Sequence, residues 1–172
     1  MEDTRNVLDK YKNQPHEDIV ADLDSKRISL EIAVENLKRD FSMGTIVRTA
    51  NAFNVAKVHI IGRKSWNKRG AMATDKYMNI EYHASVADFL RAASGRKIIA
   101  IDIVPAAKQL NGVQLPNNAV LVFGAEGSGL SQELLDVADQ VVQIEQFGST
   151  RSMNVAVAAG IAMYEWVRRH ML

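Results

Sequence analysis

The 172-residue chain contains no cysteine, so disulfides, thiol nucleophiles and thiolate metal ligands are excluded. Its four histidines are scattered and none is spaced from another as in His-x-x-x-His, which favours no protein-bound metal. The longest nearly apolar segment, residues 153–167, is too short to cross a bilayer and contains Asn154 and Glu165. The N-terminus also lacks an apolar signal region. These absences predict a cytoplasmic protein without a membrane segment.

Neither sign of charge is in large excess, because the formal net charge is only +1. No global basic field therefore indicates nucleic acid, although a local basic patch is sufficient for binding it. A content of 47% hydrophobic and 24% charged residues is typical of a globular domain. We expect a single domain over residues 26–172. Residues 1–25 are polar and are predicted to be a solvated arm or surface helix.

Apolar strands alternate with helices along the chain. Strands are predicted at 27–34, 55–61, 80–83, 97–104, 119–123 and 140–144, with helices at 45–53, 71–76 and 153–170 and further helix starts at Ser85 and Ser131. This alternation predicts an α/β fold with a mostly parallel sheet flanked by helices. The closing helix is apolar on nearly all sides, which indicates that a partner subunit covers part of it.

A glycine-rich loop follows the apolar run of residues 119–123. The run stops at Gly124, and Gly127 and Gly129 surround the carboxylate of Glu126. Such a loop allows a ligand to approach the backbone closely, although an ordinary strand-to-helix turn also fits the pattern. The sequence matches neither the Gly-x-Gly-x-x-Gly dinucleotide fingerprint nor the Gly-Lys-Ser/Thr end of a Walker loop. A ligand of this loop would therefore be neither a standard dinucleotide nor a nucleoside triphosphate.

Arg48 lies in the middle of the mostly apolar helix predicted at 45–53, where Ile46, Ala50 and Phe53 recur at helical spacing. An arginine in such a helix requires a partner or a cleft. A snorkelling or ion-paired arginine satisfies this requirement as well as a functional one does. Periodicity alone therefore makes Arg48 a candidate and no more.

A second basic feature follows the strand at 55–61. It combines four cations with one aromatic residue: Arg63, Lys64, Trp66, Lys68 and Arg69. Nucleic-acid surfaces use cations for phosphates and rings for base stacking. A simply solvated charge run remains the other interpretation of this stretch.

Three separated stretches together resemble the motifs of the SpoU-type, or TrmH-like, RNA ribose 2'-O-methyltransferases of the SPOUT superfamily. They are residues 44–53, 122–131 and 152–165, with the letters GTIVRTANAF, VFGAEGSGLS and SMNVAVAAGIAMYE. The resemblance implies a C-terminal deep trefoil knot, S-adenosylmethionine as methyl donor, and transfer to a ribose 2'-hydroxyl of tRNA or rRNA. It also implies a homodimer formed through the C-terminal helix and knot region.

The resemblance also implies roles for individual residues. The catalytic positions are Arg48, Glu126, Ser152, Asn154 and Ser42, and the cofactor contacts are Gly124, Ile144 and Met153 with the neighbouring Val122, Phe123 and Gly129. The residues of the basic stretch, Arg63, Lys64, Trp66, Lys68 and Arg69, are expected to bind RNA.

Ser42 departs from the family pattern, which usually has asparagine at this position. Serine offers a shorter reach and one donor, and Asn36 in the same connection could compensate. The family assigns proton removal to the arginine. Because a guanidinium holds its proton at ordinary pH, Arg48 could instead stabilise the developing alkoxide and orient an RNA phosphate. The alternative function is a catalytically impaired, dimeric RNA-binding protein of the same fold, with Ser42 as the first sign of decay.

Overall fold

The computed structural model describes residues 3–36, 42–125 and 127–172. Its strands are β1 (Ile28–Asn36), β2 (Val55–Gly62), β3 (Ile80–His83), β4 (Lys97–Ile101), β5 (Lys108–Gln109), β6 (Ala119–Phe123) and β7 (Gln140–Gln143). They form one sheet in the order β3-β2-β1-β6-β4-β7-β5, and all neighbouring strands are parallel. The predicted parallel α/β sheet is confirmed.

The helices in this part of the chain are α1 (His16–Asp24), α2 (Ser42–Ala52), α3 (Val86–Ala92), α4 (Gln132–Val137) and α5 (Val155–His170). Short 3-10 segments lie at Asp9–Tyr11, Arg69–Ala71, Thr74–Tyr77 and Leu110–Gly112. The hydroxyl of Ser85 accepts the Asp88 N–H at 3.1 Å, and that of Ser131 accepts the Leu134 N–H at 3.3 Å. These bonds satisfy donors that a helix start leaves free, so both predicted helix starts are confirmed.

The sheet is buried on both faces, as a parallel sheet requires. On one face, alternate residues of β1, β2, β4 and β6 pack against α2 and α5, and the fully buried Trp166 lies in this layer. Its indole N–H donates to the Pro116 carbonyl at 2.9 Å, which fixes the end of α5 to the turn before β6. On the other face, α3 and α4 cover the sheet through Phe89 and Leu134.

The N-terminal residues include the surface helix α1, which is one of the two predicted alternatives, and this helix is docked on the body of the protein in a way that a solvated arm would not be. Ile19 of α1 is buried together with Tyr11 and Tyr77 in a small separate apolar cluster. The guanidinium of Arg27 donates to the Tyr77 carbonyl at 3.0 Å and further ties this end of the chain to the 3-10 segment Thr74–Tyr77. The polar composition concealed the few apolar side chains that anchor α1.

Several boundaries differ from those predicted. β4 ends at Ile101 and not at residue 104, β5 was not predicted, and the helix predicted at 71–76 is two 3-10 segments. α5 begins at Val155, two residues after the predicted start. Among the described residues, no helix combines the length and apolarity needed to cross a membrane. The trefoil knot stays a prediction.

Candidate active site

A cleft of about 790 Å³ opens at the carboxyl edge of the sheet, beyond the ends of β4, β6 and β7. Its apolar lining includes Ile101, Ile103, Val104, Ala125, Leu130, Leu135, Ile144, Met153, Val155 and Ala158. Its polar lining includes Asp102, Ser128, Gln143, Gln146, Arg151, Ser152 and Asn154, and the backbone of Gly124, Gly127 and Gly129 completes the wall. Ligands of open parallel sheets bind at this edge, and the volume lies within the range of small-molecule sites, roughly 300 to 1,000 Å³.

The glycine loop forms one wall of the cleft because its backbone doubles back on itself. The Gly129 N–H donates to the Ala125 carbonyl at 3.1 Å. A Cβ on Gly124 would lie 2.2 Å from the Gly129 carbonyl carbon, so no side chain fits there. Gly129 itself has a φ of 65°, in the left-handed region that favours glycine. The loop therefore presents main chain to the cleft.

Two carboxylates at the ends of strands β4 and β1 hold this loop through backbone hydrogen bonds. Asp102, directly after β4, accepts the Leu130 N–H at Oδ2 and the Ile103 N–H at Oδ1, each at 2.7 Å. Glu35, buried near the end of β1, accepts the Ser131 N–H at 2.7 Å. Hydrogen bonds from backbone N–H groups to charged acceptors are among the stronger ones in proteins. The loop is thus held to the ends of two strands.

Asn154 joins the cleft to α2. Its Oδ1 caps α5 by accepting the N–H groups of Ala156 at 2.9 Å and Val157 at 3.3 Å. Its Nδ2 donates to Oγ of the buried Ser42 at 3.0 Å. The first turn of α2 therefore meets the start of α5 beside the cleft, and the two helices that carry the first and third motifs are joined there.

Arg48 lies in α2, the helix that begins at Ser42. Its side chain is exposed, it does not line the cleft, and it forms no hydrogen bond or ion pair with any residue that the structure describes. The ion-paired interpretation of this arginine therefore receives no support from the described part of the chain. A free guanidinium on a helix that contacts the cleft can meet an anionic ligand from solvent.

The basic stretch of residues 63–69 leaves β2 and leads into the 3-10 segment that packs against α2. Arg63, Lys64, Lys68 and Arg69 are exposed, and Lys68 is paired with Asp75 at 2.8 Å. Trp66 is only 8% exposed and donates its indole N–H to the Tyr82 hydroxyl at 3.3 Å. The prediction that Trp66 offers a ring for base stacking is wrong, because this ring belongs to the core.

Asn36 supports the basic stretch and does not replace Ser42. Its Nδ2 donates to the carbonyl of Arg63 at 2.5 Å and to that of Ser65 at 3.2 Å. Its amide nitrogen is therefore committed to the backbone of the basic stretch. The suggestion that Asn36 compensates for Ser42 is not supported.

The structure places most of the remaining predicted site residues together. Six of them line the cleft, namely Gly124, Gly129, Ile144, Ser152, Met153 and Asn154. Val122 and Phe123, predicted as cofactor contacts, do not line it, because their side chains are buried in the cores on opposite faces of the sheet. Glu126 lies outside the described residues.

Asp102 and Arg151 line the cleft and were not predicted. An acidic residue that directly follows a buried strand is the signal that identifies Asp102, and extending β4 to residue 104 concealed it. The histidines were also expected to be scattered, but the fold brings His59 and His83 to a nitrogen-to-nitrogen distance of 2.9 Å. Only the pairing of β2 with β3 reveals this contact.

Comparison with known proteins agrees with the geometry. The model of the SpoU rRNA Methylase family matches residues 29–164. A tRNA (guanosine(18)-2'-O)-methyltransferase from Borreliella burgdorferi is 28% identical over 145 residues, which cover 81% of this chain and 66% of that protein. The chain thus spans just under two thirds of the length of this relative.

Solved structures share the fold. The A. aeolicus TrmH/SpoU tRNA modifying enzyme matches with a TM-score of 0.78 and 27% identity over 90% of this chain and 81% of that chain. An AdoMet-bound rRNA methyltransferase from Sinorhizobium meliloti matches with a TM-score of 0.75 and 24% identity over 89% of this chain and 61% of that chain.

Proposed function

Because the chain belongs to the SpoU rRNA Methylase family, we propose that it transfers a methyl group from S-adenosylmethionine to a ribose 2'-hydroxyl of tRNA or rRNA. The observation that carries this proposal is the contact between Asn154, which lines the cleft, and Ser42 of α2. It joins a small-molecule cleft to the helix that bears an exposed arginine. Methyl transfer to RNA requires both parts side by side.

The cleft fits S-adenosylmethionine in size and in the character of its lining. Apolar side chains such as Leu130, Ile144 and Met153 suit an adenine ring, and the main chain around Gly124 offers hydrogen-bonding groups without an intervening side chain. When bound, the cofactor supplies a methyl group on a positively charged sulfur. Relatives of known structure include an AdoMet-bound protein with the same fold.

Arg48 is the residue we assign to the reacting oxygen. Its guanidinium is exposed and unpaired among the described residues, so it can contact the RNA phosphate and the developing 2'-alkoxide. The bound cofactor would supply the methyl group to the 2'-oxygen, and Arg48 would face that oxygen as the sulfur–carbon bond is replaced by the new oxygen–carbon bond. The hydroxyl proton passes to water or to a phosphate oxygen. A cationic fork stabilises the negative charge that builds up on the oxygen during this exchange.

Ser42, Ser152 and Asn154 position the groups around the reaction. Asn154 is a helix cap and a bridge to Ser42, so it fixes the angle between α2 and α5. Ser152 is exposed on the cleft wall and its carbonyl accepts the Thr150 hydroxyl at 2.9 Å. We assign Glu126 to the same site on the family resemblance alone.

RNA would approach along the basic stretch. Arg63, Lys64 and Arg69 are exposed and form no ion pair with described residues, so they are available to phosphates. The 3-10 segment at Arg69–Ala71 packs on α2, which brings these cations to the helix that carries Arg48. A tRNA or rRNA substrate would also place the enzyme in the cytoplasm.

We propose that the protein is a homodimer and that the exposed side of α5 forms its interface. Val157, Ile161 and Tyr164 form an exposed apolar stripe on α5, with exposed fractions of 54%, 39% and 51%. A second hollow of about 590 Å³ beside this stripe shares Ile144 with the cleft. A partner seated on α5 would therefore also contact the wall of the cofactor cleft.

The domain and chain path follow from the same family. We propose that residues 26–172 form one methyltransferase domain. We also propose that its C-terminal segment is knotted, which would place the residues after β7 against the glycine loop.

The test is a methyl-transfer assay. Purified protein is incubated with labelled S-adenosylmethionine and with tRNA and rRNA from cells that lack the gene. We expect label in a nucleotide linkage that resists alkaline cleavage, because a methylated 2'-oxygen cannot attack the neighbouring phosphate. Cofactor binding is measured by calorimetry on the same protein. RNA binding without cofactor binding would contradict the proposal and identify an impaired RNA-binding protein.

A further inference from the structure

Far from the cleft, the fold assembles a cluster of titratable side chains on the sheet face covered by α3. His59 of β2 is fully buried and His83 of β3 is 5% exposed. Nδ1 of His59 and Nε2 of His83 lie 2.9 Å apart. Glu81, which pairs with His59 in the strand register, adds a carboxylate oxygen, and one ligand atom from each of His59, Glu81 and His83 lies within 4.8 Å of the others. Nothing in the methyl-transfer site uses these residues.

The tautomer of His59 follows from the contact of its second ring nitrogen. Nε2 lies 2.9 Å from Oε2 of Glu31, whose other oxygen is ion-paired with Arg96. Burial raises the pKa of Glu31, but the His59 hydrogen bond and the Arg96 charge outweigh it, so the pKa of this carboxyl is lowered. An ionised carboxylate only accepts, so Nε2 carries the proton. In the neutral imidazole, Nδ1 then directs a lone pair at His83.

His59 therefore has the arrangement of a metal-binding histidine. In the metal-free protein its Nδ1 accepts the Nε2 proton of His83, so His83 must carry its proton on Nδ1 to bind an ion. A ligating histidine donates its far N–H to a carboxylate, which fixes both the tautomer and the ring orientation. Burial, followed by the neighbouring His59, lowers the pKa of His83. Phe89 of α3 packs on both imidazoles, with ring centroids 5.2 and 5.8 Å away.

We propose that His59, His83 and Glu81 form a binding site for a divalent transition ion of the Zn²⁺ class. Imidazole and carboxylate are ligands that Zn²⁺ accepts, at about 2.0–2.2 Å. A tetrahedral ion holds its nitrogen ligands about 3.3 Å apart, so the observed 2.9 Å pair need open by only about 0.4 Å. Glu81 is half-exposed, which leaves a solvent path to a fourth ligand position.

Lys57 tunes this site. Its Nζ is ion-paired with Oε2 of Glu81 at 2.6 Å, so it competes with a metal ion for the carboxylate and repels its charge. The bound ion would join β3, an edge strand of the sheet, to β2 through side chains as well as through the backbone. An ion that binds only the folded chain stabilises it by mass action.

The experiment uses the full chain after removal of metal with a chelator. Zn²⁺ is titrated by calorimetry, and Co²⁺ is added as a spectroscopic probe because its visible absorption reports tetrahedral coordination. We expect one equivalent to bind with a rise in melting temperature. His83→Gln should abolish this binding and Glu81→Gln should weaken it at least tenfold, while Lys57→Gln should tighten it.

His16→Gln is the matched control, because His16 lies in α1 outside the cluster. Circular dichroism establishes that each variant is folded, and Glu81→Gln changes a half-exposed side chain and so keeps the test valid if His83→Gln does not fold. Absence of a one-equivalent site in the wild type overturns the proposal, as does equal loss of binding in His16→Gln. Methylation measured with and without chelator tests the proposed enzyme activity separately.

Discussion

Asn154 and Ser42 are joined by a hydrogen bond of 3.0 Å although they are 112 residues apart in the sequence. The bond connects the cap of α5 to the first turn of α2, and thereby the cofactor cleft to the arginine helix. A serine at this position thus retains a polar contact to the third motif. We therefore propose Ser42 as a member of the site, which the next variant tests.

Ser42→Ala should lower the methyl-transfer rate while the protein stays folded. Loss of one neutral hydrogen bond corresponds to about 1 kcal/mol, or about fivefold in rate. Asn154→Ser offers a comparison, because a serine retains the helix cap but lacks the amide donor. Similar rate losses in the two variants, measured at saturating cofactor, would support the bridge. A wild-type rate in both would contradict it.

Arg48→Ala should reduce methyl transfer by about 10²- to 10³-fold, the range for removing a group that stabilises developing negative charge. Cofactor affinity should change by less than about twofold, since Arg48 does not line the cleft. Arg91→Ala is the control because Arg91 is also an exposed arginine, on α3, where it is ion-paired with Asp88. Single-turnover rates and calorimetry on both variants separate chemistry from binding. A near-normal rate in Arg48→Ala removes this residue from the site.

Gly129→Ala should weaken cofactor binding by an order of magnitude or more. The new Cβ would lie 2.6 Å from Oδ2 of Asp102 and would push the loop off the carboxylate that holds it. Gly95→Ala is the matched control, since its φ of 81° is also left-handed but its Cβ would meet no atom within 4 Å. Both variants should lose about 1 kcal/mol of stability through backbone strain. Only Gly129→Ala should lose cofactor affinity, as measured by calorimetry.

Ile161→Glu should convert a dimer into a monomer, because it places a charge in the middle of the apolar stripe on α5. Val137→Glu provides the control at an equally exposed apolar residue of α4, at 39% in both cases. Analytical ultracentrifugation of the wild type and the two variants measures whether each is a monomer or a dimer. A dimer that survives Ile161→Glu would show that another surface carries the interface.

The stability of the protein should fall with acid through His83, measured with a chelator present. Burial and His59 lower the pKa of His83, so the unfolded chain binds a proton below pH about 6.5 that the folded chain still excludes. The stability that the neutral His83 contributes is fully present above pH about 6.5 and is lost as the pH falls toward the pKa of His83 in the folded protein. The groups that face the ring are His59 and Lys57 of β2, Glu81 of β3 and Asp88 of α3.

Urea midpoints between about pH 7.5 and about pH 5.5 measure this dependence. The midpoint of the wild type should fall more steeply over this interval than that of His83→Gln, because the variant lacks the imidazole at position 83. Parallel curves would contradict the assignment to His83.

The sequence predicted the elements that depend on neighbouring residues, namely buried strands and capped helices. The apolar run before Gly124 is a central strand, and serine caps mark α3 and α4. Asp102 was missed because β-branched residues continue past Ile101, so nothing in the letters marks where the sheet pairing stops. Trp66 was misinterpreted because its basic neighbours concealed a ring that the core needs. The contact of His59 with His83 depends on strand register, which composition does not encode.

The position of β6 at the centre of the sheet determines when the site can form. β1 and β4 both pair with β6, which follows them in the sequence, so one edge of each stays open until β6 has been synthesised. Open parallel strands are templates for wrong pairing, and such non-local contacts slow folding. Because Met153 and Asn154 come later still, the cleft forms only after the chain up to these residues has left the ribosome. Cofactor binding would therefore report the last step of assembly, and a nascent chain halted before residue 153 should not bind S-adenosylmethionine.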